Sequence, residues 1–338
     1  MRRVLVARMD SMGDVLVSGP AIRAVAAAAE VVLLAGPQGA PAGRLLPGVA
    51  EVRVLAAPWI TPTDRAVDAD LVAEVARIVA ETGVEEAVVL TSFHQSPLPL
   101  ALLLRLAGVR RISGASVDAA GGLLDVRLIP GETLPEDLPE PVRALRIAEA
   151  AGFPLPEGDD GRLDALLPER PAAAGDGPYL VVHPGAAVPA RAYPADRCAE
   201  VVEELAARGH RVLVTGGPGE RELTAAVAGR RGVDLGGALG LAELGALLRD
   251  ADAVVVGNTG PAHLAAAAGT PIVSLFAPVV PAVRWAPWGV PVELLGDQHA
   301  ACRDSRARIC PIAGHPCLAS VPATAVADAA ERLAEAAR

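Results

Sequence analysis

The sequence predicts an α/β protein made of two doubly wound, Rossmann-like domains. The chain has 338 residues, short β-branched runs alternate with helical patterns, and this alternation stops over residues 152–177. A chain of this length fits two domains of ordinary size better than one core. Strands that alternate with helices form parallel sheets, which bind ligands at the carboxyl ends of their strands. We therefore expect the two domains to face each other across a shared binding cleft.

Residues 1–160 are predicted to form the N-terminal domain. Short runs rich in Val, Leu and Ile predict five strands, at Arg3–Ala7, Val31–Ala35, Val52–Leu55, Ala87–Leu90 and Arg110–Ser113. Amphipathic or apolar stretches between them predict three helices, at Val15–Ala29, Asp68–Glu81 and Leu98–Ala107.

The alternation restarts after Gly152–Gly177, whose Pro, Gly, Asp and Ala content is typical of a linker. Residues 175–338 are predicted to form the C-terminal domain. Its predicted strands are Tyr179–His183, Arg211–Thr215, Val233–Leu235, Ala253–Gly257 and Ile272–Phe276. Its predicted helices are Ala195–Arg208, Glu220–Gly229, Leu241–Arg249, Pro261–Ala268 and Ala323–Ala337. The last helix is also a candidate for packing back on the N-terminal domain.

Charge and composition exclude several classes of protein. The formal net charge is −10 and every basic residue is Arg, so the chain lacks the basic surface that nucleic-acid binders need. Arg8, Asp10 and Asp14 interrupt the N-terminal apolar run before a signal peptide can form, and no window reaches the length of a membrane span. The four cysteines are too few for a disulfide scaffold of this size. We expect a cytoplasmic protein.

The first chemically informative loop, Arg8–Val15, lies between the first predicted strand and the first predicted helix. It contains a single glycine, Gly13, instead of the G-x-G-x-x-G fingerprint, so a nicotinamide or flavin enzyme is not expected. It does place a carboxylate, Asp14, at the start of a helix. Capping that helix is the ordinary role of such an aspartate, and the loop alone favours capping over catalysis.

The loop Val255–Leu264 predicts a phosphate site. A strand ends here, and Pro261 suits the first position of a helix, which leaves Thr259 or Gly260 at the N-cap. The backbone N–H groups and the dipole of such a terminus bind phosphate. His263 would add a donor, although a single histidine on an Ala-rich helix more often fills core or surface. We expect this loop to follow a strand that matches the one before Asp14.

Two further loops are candidates for nucleotide contacts. The glycines of Gly216–Glu220 would let a ligand approach the backbone, and Glu220 would accept hydrogen bonds from ribose hydroxyls. Arg191, which follows His183–Ala186, would donate two hydrogen bonds from its guanidinium to a diphosphate. Taken singly, an ordinary helix-start glutamate and a surface arginine are the alternatives.

Two sets of side chains with metal-binding chemistry are not favoured as metal sites. The triplets Asp68–Asp70 and Asp250–Asp252 fall at a helix start and a helix end, where carboxylates are routine. The second set lies near the C-terminus and consists of Cys302, Cys310, His315 and Cys317. Its spacing lacks the C-x2-C pair of common zinc sites, so a Cys3His site is the less favoured interpretation. We expect no metal and no cofactor.

Taken together, these loops closely resemble those of glycosyltransferase family 9, the ADP-heptose heptosyltransferase family. The matching motifs follow the family's order along essentially the whole chain. They are Met12-Gly13-Asp14-Val15-Leu16 with Pro20, His183-Pro184-Gly185-Ala186, Gly216-Gly217-Pro218-Gly219-Glu220, Asn258-Thr259-Gly260-Pro261-Ala262-His263 and Leu275-Phe276-Ala277-Pro278. The Cys-rich tail also resembles that of many members.

The resemblance implies a GT-B architecture and an inverting, metal-independent transfer of a sugar, with ADP-heptose as the donor. Asp14 resembles the family's general base, and Ser11, Met12 and Gly13 would form an acceptor-side loop in an acceptor-binding N-terminal domain. In the C-terminal domain the residues implied to hold the donor nucleotide and its phosphates are Arg191, Glu220, Asn258, Thr259, Gly260 and His263. Family members often have Asp at position 258, so a carboxylate role does not carry over to Asn258.

Other functions stay open at this point. A non-hydrolysing nucleotide-sugar epimerase, or a transferase that uses another nucleotide sugar, would have the same architecture. A binding or scaffold module would not need the carboxylate of Asp14. The resemblance implies a glycan, lipid-linked or small-molecule acceptor, with lipopolysaccharide core biosynthesis as the family's pathway, and it is compatible with peripheral membrane association. The lysine-free composition suggests a GC-rich host, in which another envelope glycan or a natural product would be the acceptor. The oligomeric state is not predicted.

Overall fold

The computed structural model describes residues 2–60 and 65–336, and the chain divides into two compact units, Met1–Leu166 and Leu167–Arg338. The division falls inside the predicted linker. The segment before it belongs to the first domain, because the Leu166 backbone N–H donates to the Leu45 carbonyl (2.7 Å) and Arg23 pairs with Asp159 (2.6 Å).

The first domain is a six-stranded parallel sheet covered by helices. Its elements are β1 (Arg3–Arg8), α1 (Met12–Leu16), α2 (Gly19–Ala26), β2 (Glu30–Ala35), α3 (Ala40–Gly43), β3 (Val49–Val54), α4 (Ala69–Thr82), β4 (Glu86–Val89), α5 (Leu98–Leu106), β5 (Arg111–Ala115), β6 (Val126–Leu128) and α6 (Glu140–Ala150). The strand order is β3-β2-β1-β4-β5-β6. Val4, Leu5 and Val6 of the central strand are fully buried, as expected when helices cover both faces of a sheet.

The second domain repeats this plan. Its elements are β7 (Leu180–His183), α7 (Ala195–Ala207), β8 (Val212–Gly216), α8 (Arg221–Ala228), β9 (Val233–Gly236), α9 (Leu241–Arg249), β10 (Ala253–Gly257), α10 (Gly260–Ala267), β11 (Ile272–Leu275), α11 (Ala282–Trp285), β12 (Val292–Leu295), α12 (Pro316–Ala319) and α13 (Ala323–Ala336). The strand order, β12-β11-β10-β7-β8-β9, is that of the first sheet when the strands are counted within each domain. The α/β, doubly wound prediction is confirmed.

The final helix belongs to the second domain. Helix α13 packs on α7 and on strands β10, β11 and β12, and its Val326, Ala327 and Ala330 lie in that domain's core. Ala337, the last residue of the predicted helix, lies outside the described residues. Within the described ranges, none of the helices is both long and apolar enough to cross a membrane.

Some elements differ from the sequence-based prediction. The single helix predicted at Val15–Ala29 is two helices, α1 and α2, because the chain turns at Val17 and Ser18 and restarts with Pro20 in the first turn of α2, where a missing N–H costs nothing. Helix α6 was not predicted, since its two arginines and two glutamates dilute the apolar pattern. The edge strands β6 and β12 were also missed, being only three and four residues long.

The strand order places the predicted site loops. It reverses between β1 and β4 in the first sheet and between β7 and β10 in the second, and ligands bind at such reversals beside the carboxyl ends of the strands. The expectation that the loops of Asp14 and Thr259 follow matching strands was wrong. In chain order, Asp14 follows β1, the first strand of its domain, whereas Thr259 follows β10, the fourth strand of the other domain. Both strands flank a reversal, so each loop still borders the crevice of its own domain.

Candidate functional site

Asp14 is part of the first turn of α1. Ser11 caps the helix in an extended conformation, and Asp14 Oδ2 accepts hydrogen bonds from the Ser11 backbone N–H (3.1 Å) and from Ser11 Oγ (2.5 Å). The bond from the Ser11 backbone N–H to the Asp14 side chain is the one that the third helical residue makes in a capping box. The other oxygen, Oδ1, accepts from the Arg8 guanidinium at 3.0 Å. The Asp14 side chain is 15% exposed, so capping the helix leaves the carboxylate accessible.

Arg8 ends β1 and is almost fully buried, with 1% of its side chain exposed. Its Nη2 also donates to Ser92 Oγ (2.8 Å), which donates to Asp10 Oδ2 (2.8 Å). Arg8 lies 3.2 Å from Asp10 and 3.6 Å from Glu140 through its other nitrogens. Burial lowers the pKa of Arg8, but the three carboxylates outweigh burial and raise it above its ordinary value. The guanidinium is therefore a permanent cation beneath Asp14.

The loop that carries these groups is held by close backbone packing. A Cβ at Gly36, just after β2, would lie 2.2 Å from the Met9 carbonyl oxygen, and one at Gly39 would lie 2.5 Å from Val15 Cγ2. Only glycine lets the segment after β2 pass this close. Within the loop predicted to lie on the acceptor side, Gly13 is buried, Met12 is half-buried and Ser11 is exposed.

In the second domain, the loops after β7 and β8 pack on each other through Glu220. A Cβ at Gly185 would lie 2.1 Å from Glu220 Oε1, and Glu220 Oε2 accepts from the Gly217 backbone N–H at 2.7 Å. His183, at the end of β7, hydrogen-bonds Thr215 Oγ1 through Nδ1 (3.0 Å). Burial lowers the pKa of His183 to about 4, although the nearby Glu220 carboxylate acts in the opposite direction. His183 is therefore neutral at physiological pH.

The loop after β10 presents hydrogen-bonding groups at a helix start. Thr259 is the N-cap of α10, one of the two positions expected for it. Asn258 is 5% exposed, and neither of its amide atoms has a hydrogen-bond partner among the described residues. Buried amides are normally paired, so Asn258 keeps hydrogen-bonding capacity. His263 is buried in the first turn of the helix.

These loops lie along one edge of the second sheet. Glu220 follows β8, Arg191 follows β7 and Thr259 follows β10, and β7 lies between the other two strands. The Arg191 segment adjoins the end of β10, because a Cβ at Gly257 would lie 3.0 Å from the Arg191 carbonyl oxygen. Three neighbouring strands thus place a carboxylate, a guanidinium-bearing segment and a helix N-terminus at one sheet edge.

The side chains not favoured as metal ligands have other roles. Asp68 caps α4 by accepting from the Leu71 backbone N–H (3.1 Å), and Asp250 pairs with Arg249 (3.0 Å). Cys302 and Cys317 are buried in the second core as free thiols, and burial raises the pKa of Cys317 to about 11. Across the described ranges, no three His, Cys, Asp or Glu side chains are grouped to hold a metal ion.

Sequence reasoning missed the groups around Arg8. Arg8 and Asp10 stand in the loop that contains Asp14, but charges in a loop sequence do not reveal which of them are buried. Glu140 lies at the start of the unpredicted helix α6, and it is 0% exposed. Ser92 follows β4, and the signal that would have found it is the strand order, since the loops after β1 and β4 are neighbours at the reversal.

Comparison with known proteins connects the chain to one family. The model of "Glycosyltransferase family 9 (heptosyltransferase)" matches residues 139–314, just over half of the chain. Lipopolysaccharide heptosyltransferase 3 of Escherichia coli (strain K12) is 34% identical over 116 residues, which are 32% of this chain and 33% of that protein. Lipopolysaccharide heptosyltransferase 1 of Pseudomonas aeruginosa is 38% identical over 143 residues, 40% of this chain and 38% of that protein. The matched regions thus span only about a third of the length of these relatives.

Solved structures share the fold over nearly the whole chain. A family 9 glycosyl transferase from Veillonella parvula has a TM-score of 0.79 at 18% identity, covering 99% of this chain and 98% of the other. The E. coli ADP-heptose lipopolysaccharide heptosyltransferase II has a TM-score of 0.73 at 19% identity, covering 99% of each chain. E. coli heptosyltransferase WaaC with ADP has a TM-score of 0.74 at 18% identity, covering 98% and 99%. The GT-B fold class expected from the sequence is confirmed.

Proposed function

Because the chain belongs to glycosyltransferase family 9, we propose that it transfers a sugar from a nucleotide sugar to an acceptor hydroxyl, with inversion and without a metal ion. The observation that carries this proposal is the Asp14 carboxylate, held by Ser11 and Arg8 at the carboxyl edge of the first sheet. The donor we propose is ADP-heptose, since structures of E. coli WaaC contain ADP and ADP-2-deoxy-2-fluoro heptose.

Asp14 is proposed as the general base. Its carboxylate takes the proton from an acceptor hydroxyl while that oxygen attacks the anomeric carbon from the side opposite the diphosphate. Attack from that side inverts the configuration of the carbon. Ser11, Met12 and Gly13 form the turn that presents the base and are proposed to border the acceptor. One carboxylate suffices, because a diphosphate leaves without a strong acid.

The second domain is proposed to hold the nucleotide. Negative charge grows on the diphosphate as the bond to the sugar breaks, and the backbone N–H groups at the start of α10 and the Arg191 guanidinium would stabilise it. Asn258 and His263 are proposed to add hydrogen bonds from the same loop. Glu220, whose carboxylate lies over Gly185, is proposed to accept from the ribose hydroxyls.

The acceptor is proposed to be a glycan hydroxyl of the cell envelope, with the lipopolysaccharide core as the first candidate because both named relatives are lipopolysaccharide heptosyltransferases. We place the reaction in the cytoplasm, where nucleotide sugars are made. Peripheral attachment to a membrane would bring the protein to a lipid-linked acceptor.

A nucleotide screen tests the donor. Thermal unfolding of the protein is measured with ADP, UDP, GDP and TDP, because a ligand that binds the folded state raises Tm according to its affinity. We expect ADP to raise Tm most. A larger rise with UDP would indicate that the donor is a UDP-activated sugar other than heptose.

A transfer assay tests the reaction. ADP-heptose is incubated with and without a deacylated lipopolysaccharide core acceptor, in EDTA and in Mg²⁺. Release of ADP only when the acceptor is present, at equal rates in EDTA and Mg²⁺, is the expected result. A change in the sugar without acceptor would indicate an epimerase, and a strict Mg²⁺ requirement would contradict the metal-free mechanism.

A further inference from the structure

Arg8 is shared by three carboxylates instead of forming a single ion pair. Asp14, Asp10 and Glu140 lie 3.0, 3.2 and 3.6 Å from its nitrogens. Arg8 and Glu140 are almost fully buried, and the Asp10 side chain is 8% exposed. The three acids come from the loop after β1, from α1 and from the start of α6. The fold therefore brings distant parts of the first domain to one guanidinium.

The other polar groups here fix this arrangement. Ser92 bridges Arg8 and Asp10, and its backbone N–H donates to Gln95 Oε1 at 3.2 Å. Arg143, one turn beyond Glu140 on α6, donates to the Thr91 carbonyl. Even with Arg143 included, carboxylates outnumber guanidinium groups in this part of the described structure. The remaining titratable group of the Thr91–Gln95 loop is His94, whose ring packs edge-on against Phe93.

A base paired with one buried cation would be a poor proton acceptor. When it takes a proton, the cation loses its partner, and an unpaired buried charge is strongly unfavourable. Further carboxylates on the same cation remove that penalty, because the cation stays paired when one of them becomes neutral. The pKa of Asp10 is consistent with this: burial raises it, Arg8 lowers it and the Asp14 carboxylate raises it, so the two acids influence each other.

We propose that Asp10 and Glu140 are positioning residues that act through Arg8, keeping its guanidinium paired while Asp14 takes the acceptor's proton. The oxygen–hydrogen bond of the acceptor breaks, the proton moves to Asp14 Oδ, and Arg8 stays compensated by the other two carboxylates. This inference rests on the proposed function, since it explains how Asp14 can serve as the base although it accepts a hydrogen bond from a buried cation.

The test compares the pH dependence of kcat in variants that remove opposite charges. In Asp10→Asn, Arg8 has one carboxylate fewer and interacts more strongly with Asp14, which makes Asp14 a weaker base. The acidic limb of the kcat profile should therefore shift to lower pH by about 1 unit, and kcat at pH 7.5 should fall roughly three- to tenfold. Arg8→Gln moves the limb up by a similar amount. Folding of Arg8→Gln is checked by circular dichroism, and Glu140→Gln supplies an independent variant expected to shift in the direction of Asp10→Asn.

Two controls separate this effect from general damage. Asp118→Asn removes an exposed charge from the loop after β5 and should leave the pH profile of kcat unchanged. His94→Gln shows whether titration of this histidine, and not of Asp14, produces the acidic limb of the profile. A purely structural role of Asp10 would lower kcat at every pH without moving the limb. A limb that stays in place in both Asp10→Asn and Glu140→Gln, or that moves only in His94→Gln, overturns the inference.

A second readout keeps the inference testable apart from activity. The ¹³C-labelled carboxyl carbon of Asp14, identified by its loss in Asp14→Asn, is titrated by NMR in the wild type and in Asp10→Asn. Titration at lower pH in Asp10→Asn supports the inference even if no nucleotide sugar is turned over, in which case the proposed function alone fails. An unchanged titration, with a wild type that transfers sugar, overturns the inference alone.

Discussion

The two domains share one strand order but carry different chemistry at the carboxyl edges of their sheets. The first edge holds buried ionised groups, with Arg8 among Asp10, Asp14 and Glu140. The second edge combines the neutral His183 and the backbone N–H groups at the start of α10 with one arginine, Arg191, and one carboxylate, Glu220. One strand order thus carries different polar groups at the edges of the two sheets.

This difference matches the two tasks of a sugar transfer. Moving a proton requires a carboxylate whose charge can change, and buried counter-charges control how readily it changes. Holding a departing diphosphate requires fixed donors that do not titrate, since the negative charge arrives with the ligand. Changes at the first edge should therefore affect turnover, and changes at the second should affect nucleotide binding.

The largest expected effect is that of Asp14→Asn. Loss of a general base lowers kcat by about 10²–10⁴-fold, while the affinity for ADP should stay within about twofold because the proposed nucleotide contacts belong to the second domain. Steady-state kinetics together with calorimetric titration of ADP check this. Full turnover in the variant would remove Asp14 from the mechanism, and lost ADP affinity would contradict the separation of tasks.

The second prediction concerns the packing of Gly185 on Glu220. Gly185→Ala would place a Cβ 2.1 Å from Glu220 Oε1, so the carboxylate must move away from its position. We expect ADP affinity to fall by about tenfold or more, which corresponds to about 1–2 kcal/mol, with kcat at saturation largely kept. Gly219→Ala, in the loop of Glu220 itself, is the matched control, because its Cβ would meet no atom within 4 Å. Equal affinities of the two variants would show that Glu220 does not contact the nucleotide.

A third prediction concerns the second sheet edge and the loss of folding stability in acid that His183 causes. Burial lowers the pKa of His183 to about 4 from its ordinary value of 6.5, so the unfolded chain binds a proton at this position at pH values where the folded protein does not. Its contribution to the free energy of unfolding is complete above pH 6.5 and is lost as the pH falls toward 4, by at most about 3 kcal/mol. Urea unfolding between pH 7.5 and 4.5 should show a smaller decline in His183→Gln than in the wild type, and equal declines would contradict the prediction.

The smallest effect is expected at Asp68, a carboxylate that only caps a helix. Asp68→Ala removes the acceptor of the Leu71 backbone N–H and should lower the free energy of unfolding by about 1 kcal/mol. Neither kcat nor ADP affinity should change, which sets Asp68 apart from Asp14 although both lie at helix starts in the first domain. A loss of turnover would mean that α4 takes part in the site.

The strands and loops were largely predictable because parallel strands buried on both faces read as short apolar runs between turn residues. Residue patterns also located the loops of Asp14, Glu220 and Thr259. The ion cluster was not predictable, since it joins Arg8 to Ser92 and Glu140 across long stretches of sequence. Helix α6, which brings Glu140 into place, was missed for a local reason, the mixture of arginines and glutamates in its sequence.

The most direct test of the separation of tasks is one experiment on two variants, measuring ADP affinity and saturated turnover for Asp14→Asn and Gly185→Ala side by side. We expect a crossed result: Asp14→Asn loses turnover and keeps ADP affinity, whereas Gly185→Ala loses ADP affinity and keeps most of its turnover. Parallel losses of both quantities in both variants would contradict it, because the two sheet edges would then not perform distinct steps.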